Sequence, residues 1–496
     1  MYRPQAALRQ YASLWSRRLY TRRKAGAFVL GAAALGTLYD WRHVIYADNS
    51  QRNPQAGSNG SSPEDDEQFI KTRLPALSNT IIGDVGILQF DEISVPRLVW
   101  IIAEICEVFM TLFSVSAKQD ASLCESIRPT RASTTAWTFL TLYDGYDGWQ
   151  NINAVLNQLL SALRSSLLEV LNNYEPSNEH TEVGMGLDLP DGELEPYDDA
   201  INRKIKDVFL EVDDNIVHKP FNFTSGPYSR SSIATALGPA IYGSSAMVAF
   251  YDTEHRTLRV AHTGNIRAVL GRRCMIAGRS SYEVHVLTSD HTCSNPAEAA
   301  RLRAQHPGEV LCSGDNMLLG CGLSRAFGMA AFKWGREMQE RLHREFLGDT
   351  PLMHVKTPPY LSAEPDITTV EVQPGDFLVM ATSGLWKSLT NEEAVGLVGM
   401  WLDKGLLSTP VTPPSGDAIS PQDLPVVLGK DDTVNYARWD SKKEFLCVDP
   451  NAAMHLARNA LGGANLGLTA GLLAILPPRA EKFRFLGLSP LALLRY

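Results

Sequence analysis

The chain has 496 residues, 44% of them hydrophobic and 20% charged, with a formal net charge of −9. That length and balance suit one large globular domain or two ordinary ones, and a negative charge with no basic stripe in the body of the chain excludes a nucleic-acid binder. The seven cysteines, Cys106, Cys124, Cys274, Cys293, Cys312, Cys321 and Cys447, are scattered and form no CxxC. Neither zinc nor a disulfide framework is expected from them, and reduced thiols are the default reading.

Residues 1–39 carry Arg3, Arg9, Arg17, Arg18, Arg22, Arg23 and Lys24 and no Asp or Glu. An Arg-rich, acid-poor start interleaved with hydroxyl and aromatic residues is the composition of a mitochondrial presequence. The apolar run from Ala25 to Tyr39 is short for a bilayer span, which needs about 20 residues. It reads as an inner-membrane anchor, as the apolar end of the presequence or as a packed helix. Residues 48–66, DNSQRNPQAGSNGSSPEDD, have the composition of a flexible linker. Val95 to Val115 is an apolar run broken by Arg97, Glu104 and Glu107; it is either an amphipathic helix, with Glu104 and Glu107 on one face, or a local replacement of sequence.

Trp137 to Leu142 reads as a buried strand running into an Asp-Gly turn at Asp144–Gly145. A carboxylate and an exposed backbone carbonyl there suit a divalent cation, although Asp-Gly is also a common plain turn. Asn151 to Asn173 has Leu156, Leu159, Leu160, Leu163, Leu167 and Leu171 at helical spacing. Glu175 to Asp199 is acidic and loop-like, and Ile205 to Val217 is a second amphipathic helix. Period-2 segments follow at Ser245 to Tyr251, Thr257 to His262, Ala268 to Leu270 and Tyr282 to Leu287, which predicts antiparallel strands. Pro296 to Gln305 is a helix, Phe377 to Ala381 a buried strand, and Asn391 opens a helix with Glu393 at a capping position. Residues 408–425 form a Pro/Ser-rich surface excursion, and Asp431-Asp432-Thr433 a surface turn.

The segments YDGYDGW (143–149), GSSAMVAFYD (243–252), LRVAHTGNIRAVLGRR (258–273), SRAFGMAAFKW (324–334) and PGDFLVMATSGLWKSLTNEEAV (374–395) occur in that order. Together they resemble the PPM-type (2C-type) metal-dependent protein serine/threonine phosphatases. LTSDHTCSNPAEAARLRAQHPGE (287–309) and NAAMHLARNALGGAN (451–465) point to the fungal mitochondrial branch that includes pyruvate dehydrogenase phosphatase. The resemblance implies an α+β fold of two packed antiparallel β-sheets flanked by helices. It also implies an organisation of a targeting segment (1–47), a linker (48–85), the phosphatase domain (86–479) and a divergent tail (480–496).

The resemblance further implies two Mg or Mn ions that orient a phosphoserine or phosphothreonine phosphate and lower the pKa of a bridging water for in-line attack. Asp144 is the implied bridging ligand and Gly145 the implied carbonyl ligand. Glu64 and Asp65 are candidates for the family's early acidic pair, although GILQFD at 86–91 resembles the segment that normally precedes that pair. Asp147 is a candidate for a further oxygen, or a helix N-terminal acid satisfying free N–H groups. Other family positions are altered. Tyr146 stands where the family has a histidine, and a phenol with a pKa of about 10 is a poorer proton donor at neutral pH. Asn265 stands in the GDSR position, and Met329 where an Asp follows SRAFG. Ser383 and Lys387 replace the acids of ATDGLWD. A cation beside a dication site is repulsive, by roughly 1 to 4 kcal/mol at about 4 Å. The family's terminal Asp-Asp strand is absent from AEKFRFLGLSPLALLRY (480–496).

Three readings follow: an active or weakly active mitochondrial phosphatase, matrix or intermembrane-space, acting on a phosphoprotein of the pyruvate dehydrogenase type; a catalytically inactive relative that binds a protein partner; or a decayed or misassembled gene product. The address is separately testable. Residues 1–47 fused to a fluorescent reporter are expected to carry it into mitochondria, and a diffuse cytosolic signal would refute the presequence reading.

Overall fold

A strand that is apolar on both faces has to lie between two layers, because either face left in water would forfeit its burial energy. β-Strands at 137–146 and 243–252 are of this kind. The computed structural model describes residues 63–78, 99–103, 120–127, 129, 136–146, 149–174, 196–220, 229–312, 317–346, 348–353, 355–404, 416–449 and 452–475. All of them belong to one compact unit, Ser61–Tyr496.

In chain order the elements are α1 (Pro63–Ser78), β1 (Val99–Ala103), β2 (Asp120–Ile127), β3 (Trp137–Tyr146), α2 (Trp149–Tyr174), α3 (Tyr197–Val217), α4 (Arg230–Ile241), β4 (Gly243–Asp252), β5 (Thr257–Thr263), β6 (Arg267–Ile276), β7 (Arg279–Val286), α5 (Pro296–Gln305), β8 (Phe327–Gly328), α6 (Arg336–Phe346), β9 (Asp366–Glu371), β10 (Phe377–Ala381), α7 (Ser383–Trp386), α8 (Asn391–Asp403), α9 (Asn435–Arg438), α10 (Ala452–Ala460) and α11 (Leu466–Ala474). They build a 4-stranded sheet, β1-β10-β6-β7, and a 6-stranded sheet, β2-β3-β4-β5-β9, with β8 paired to β4. All pairings are antiparallel except β1 with β10, which is parallel.

Side-chain alternation sorts each strand between two layers. Leu140 and Leu142 of β3, Met247, Ala249 and Tyr251 of β4, and Leu258 and Val260 of β5 meet Ala268, Leu270, Leu378 and Met380 of the other sheet. Their neighbours Trp137, Phe139, Tyr143, Val248 and Phe250 face the opposite way, onto Val155, Leu159, Leu163 and Leu167 of α2 and Ile205, Val208 and Phe209 of α3. The outer face of the four-stranded sheet, with Val269, Phe377 and Val379, is covered by α8, α10, α11 and α1. The result is a helix–sheet–sheet–helix sandwich, the expected fold class.

Several boundaries differ from expectation. β3 runs on through Asp144 and Gly145 to Tyr146, so these two lie in the strand rather than in a turn. Residues 63–78, expected in a linker, form α1, whose Ile70 and Leu74 are buried in the cluster with α10 and α11. Within 95–115 the described part is strand β1, not helix, hydrogen-bonded along β10; Glu104 and Glu107 lie outside the described residues. The acidic loop ends earlier than expected, because α3 begins at Tyr197. The end of the 408–425 excursion is pinned to the sheet, with the Pro425 carbonyl accepting from the Tyr282 N–H at 2.8 Å. Cys293 and Cys312 form a disulfide, against the expectation of reduced thiols throughout; sequence spacing does not reveal which side chains a fold brings together. No helix among the described residues is long and apolar enough to cross a membrane, and residues 25–39 lie outside them.

Two histidines are buried neutral. His455 of α10 is fully covered and bonds the Leu397 carbonyl (3.2 Å) and the Asn459 amide (3.2 Å). His262 of β5 bonds the Ser289 carbonyl at 2.9 Å. Burial is the main cause that pushes each down from 6.5 to about 4. Their folded pKa lies below the unfolded one, so the unfolded chain takes up protons first as pH falls. The stability is present above pH 6.5 and is lost as pH falls toward 4. Urea midpoints measured from pH 7.5 to 4.5 are expected to fall, each histidine contributing a loss of up to about 3 kcal/mol.

Candidate functional site

The same alternation that sends Leu140 and Leu142 between the sheets sends Asp144 and Tyr146 there too, at the end of β3. Asp144 is 6% exposed. It stands opposite Ser245 of β4 and Asp120 of β2 in register. Ser245 shares the inner face with Met247 and Ala249. Gly264 and Asn265 follow the end of β5 beside them. Three neutral side chains meet at this point. The Tyr146 hydroxyl lies 2.6 Å from Ser245 Oγ and 2.6 Å from Asn265 Oδ1. A phenol has one proton, which goes to the amide oxygen; Ser245 then donates to the phenol oxygen and accepts the Asn265 backbone N–H at 3.3 Å. The bonds within this cluster are all made between neutral groups.

Gly264 makes this geometry possible. Its φ is +101°, and a Cβ there would stand 1.7 Å from Ser245 Oγ, a position only glycine can take. His291 holds the loop on both sides. Its backbone N–H donates to the Gly264 carbonyl at 2.9 Å, and its Nδ1 accepts the Gly264 N–H at 3.1 Å. Nδ1 is therefore unprotonated and Nε2 carries the proton, donating to Asp366 Oδ2 at 3.0 Å. The His291 ring stacks on His262, centroids 4.4 Å apart.

Behind His291 lies a network of charge centred on the buried Glu298 and Arg325. Arg325 bonds Asp366 Oδ1 (2.9 Å) and Glu298 Oε1 (2.7 Å), Arg301 bonds Glu298 Oε2 (2.8 Å), and the Ser324 hydroxyl donates to Glu298 Oε2 (2.6 Å). Burial alone would raise the Glu298 pKa, but the bonds from Arg301, Arg325 and Ser324 outweigh it and bring it to about 2. The bond from His291 holds Asp366 well below the usual carboxylate range, with Arg325 adding to it. Both stay ionised at neutral pH, which keeps the His291 clamp aligned.

The remaining candidates fall as follows. Met329 is buried in a left-handed conformation (φ 47°), its N–H bonded to the Tyr242 carbonyl at 2.9 Å. It packs in one apolar cluster with Tyr146. Ser383 opens α7, and Lys387 follows that helix, its carbonyl accepting from the Val434 and Asn435 N–H groups. Both follow β10, whose Ala381 pairs with Arg267, close in sequence to Asn265. Arg267 is occupied by Asp290 (2.9 Å) and Asn391 (3.0 Å) and lies over the Trp386 ring. Glu64 and Asp65 are exposed on α1, in the layer over the four-stranded sheet. Among the described residues no group of three or more His, Cys, Asp or Glu is placed to hold a metal ion, so these two do not join Asp144 in such a group. Asp147 lies outside the described residues. Sequence reasoning missed Ser245 and His291. The pattern SDHT marked His291 as part of a motif, but its role depends on the fold bringing residue 264 against it.

This architecture defines a two-sheet, helix-flanked α+β protein with a polar cluster at the mouth between its sheets. The family description "Protein phosphatase 2C" matches residues 191–413. A protein phosphatase 2C homolog of Schizosaccharomyces pombe is 35% identical over 70% of this chain and 71% of its own length. The chain belongs to the protein phosphatase 2C family. It is also similar to mitochondrial proteins named pyruvate dehydrogenase (acetyl-transferring) phosphatase 1. That of Saccharomyces cerevisiae is 32% identical over 57% of this chain and 52% of its own length. The Homo sapiens protein is 34% identical over 47% and 43%. The chain thus spans about half the length of these last relatives.

The glycine constraint is testable against a control. Gly264→Ala is expected to cost about 2–4 kcal/mol, from a positive φ and a clash with Ser245. Gly278→Ala, also at positive φ (+74°) but with nothing within 4 Å, is expected to cost only about 1 kcal/mol. Chemical denaturation of the two variants measures the difference.

Proposed function

We propose that this protein is a phosphatase-2C relative that engages a phosphoprotein but hydrolyses it little or not at all. The observation that carries this reading is the neutral, mutually hydrogen-bonded Tyr146–Ser245–Asn265 cluster beside Asp144. The family uses Mg or Mn. These hard cations are held largely by carboxylate charge, because Mg in particular gives up water reluctantly. The described side chains gathered at this strand end are Asp144, Tyr146, Ser245 and Asn265, and a second acid, Asp120 of β2, stands opposite Asp144 in backbone register. That set does not fit a pair of dications. Gly145 and Asp144 remain the positions we assign to any residual ion, with Glu64, Asp65 and Asp147 left without support as ligands. Ser383, Lys387 and Met329 add no anionic oxygen.

A water held by no metal keeps a pKa near 15.7 instead of about 7, so hydroxide is scarce at neutral pH. The residues present do other work. Gly264, clamped by His291, sets the loop; the Tyr146 phenol is tied down and is no free acid; Asp144 supplies one buried acidic side chain. The similarity to pyruvate dehydrogenase phosphatases supports a mitochondrial phosphoprotein of that type as the partner, and a mitochondrial address.

The test is phosphate release from a phosphoserine peptide with Mn²⁺, on the unmodified chain beside Asp144→Ala. Rates indistinguishable between the two are expected, together with Mn²⁺ binding by calorimetry far weaker than micromolar. Robust release that Asp144→Ala abolishes would overturn the reading in favour of an active phosphatase.

A further inference from the structure

The loop that carries Asn265 is held by His291, and two residues beyond His291 lies Cys293, bonded to Cys312. The bridge spans 19 residues of sequence and encloses α5, which supplies Glu298 to the charge network behind His291. At the far end Leu311 and Leu318, on either side of Cys312, are buried. Leu311 and Leu319 share a backbone bond of 3.0 Å, and Cys312 bridges Leu318. Leu311, Cys312, Leu318 and Leu319 pack in the apolar cluster that also contains Cys293, Leu302 and Met329 and touches Tyr146. The bridge thus ties Cys312, which is half-buried, to the segment that holds the site loop.

The two sulfurs differ in access. Cys293 is 7% exposed, whereas Cys312 is half-buried and follows Val310, which is 89% exposed. A reductant from solvent meets Cys312 first. We propose that the Cys293–Cys312 disulfide is a redox-sensitive tether that sets the order of the Gly264–Asn265 loop. A thiolate of a dithiol reductant attacks Cys312 Sγ, and the S–S bond breaks with Cys293 leaving as a thiolate that takes up a proton. The reductant's second thiol, once deprotonated, attacks its own sulfur in the mixed disulfide and releases Cys312, which is protonated in turn. The protein gains two electrons and two protons, and the dithiol becomes a disulfide. With the tether open, Cys312 and the Asp290–Asn295 segment lose their covalent link, and the His291 clamp on Gly264 is left to its hydrogen bonds and the stacking of its ring on His262. The inference does not depend on whether the site hydrolyses phosphate.

The experiment uses the full chain, oxidised and after dithiothreitol, with thiol trapping read by peptide mass and hydrogen exchange read over residues 262–267. Before reduction, peptides bearing Cys293 and Cys312 are expected to resist alkylation. Reduction of the folded protein is expected to label both and to raise exchange at the Gly264 amide about tenfold, reversibly on reoxidation. The Cys293→Ser/Cys312→Ser double variant is expected to show the fast exchange and no response to dithiothreitol. Alkylation of both cysteines before any reductant, a bond that dithiothreitol reaches only after unfolding, or unchanged exchange once trapping shows complete reduction would each overturn the proposal. If the double variant fails to fold, the reduced wild-type protein alone decides.

Discussion

Everything else in this molecule depends on β3 and β4 being apolar on both faces. Neither strand tolerates water on either side, so the pair is enclosed between a second sheet and the helices α2 and α3. At about 25 cal/mol per Å² of apolar surface, two ten-residue strands buried on both faces hold much of the folding energy. Their register is correspondingly rigid, because a slip by one residue would exchange the two faces and put every aromatic on the wrong side.

That register also sets the site. The last residues of β3 and the first of β4 inherit the inward direction of the core residues before them, so Asp144, Tyr146 and Ser245 converge where the sheets open. The described side chains they meet there are one another and Asn265, with Asp120 of β2 opposite Asp144 in backbone register. A phenol, a hydroxyl and an amide can complete each other's hydrogen bonds, and a completed neutral cluster offers a cation little, since it brings no charge to repay the ion's lost water. An acid at residue 265 in place of the amide would put a charge next to the Tyr146 oxygen. The substitutions at 146 and 265 are therefore mutually consistent: each satisfies the other.

Charge is present nearby but is spent on structure. Glu298 faces both Arg301 and Arg325, Asp366 faces Arg325 and His291, and Asp290 faces Arg267. Removing either Glu298 or Arg325, the buried pair at the centre, would leave its partner uncompensated, which is why these groups act as fixed supports. His291 is the junction: it takes its tautomer from Gly264 on one side and Asp366 on the other. The Cys293–Cys312 bridge reaches the same junction from the surface, so backbone, charge and covalent links all converge on a single loop.

The sequence alone determined the layers of this protein. The helical spacing of Leu159, Leu163 and Leu167, the period-2 runs of β4 and β5, the Thr390–Glu393 capping box now seen at α8 and the family segments in their order were all legible, because each is a local property of neighbouring residues. The departures at Tyr146, Asn265, Met329, Ser383 and Lys387 were legible too, as residue types. Their consequence was not. Whether Tyr146 reaches Asn265, whether residues 63–78 dock on the C-terminal helices, whether 99–103 is strand or helix, and which cysteines meet are questions of long-range pairing. Tyr146 and Asn265 are 119 residues apart, and Cys293 and Cys312 are 19 apart with a helix between them. Local propensity carries no information over such separations; only the closing of the two sheets on one another decides them.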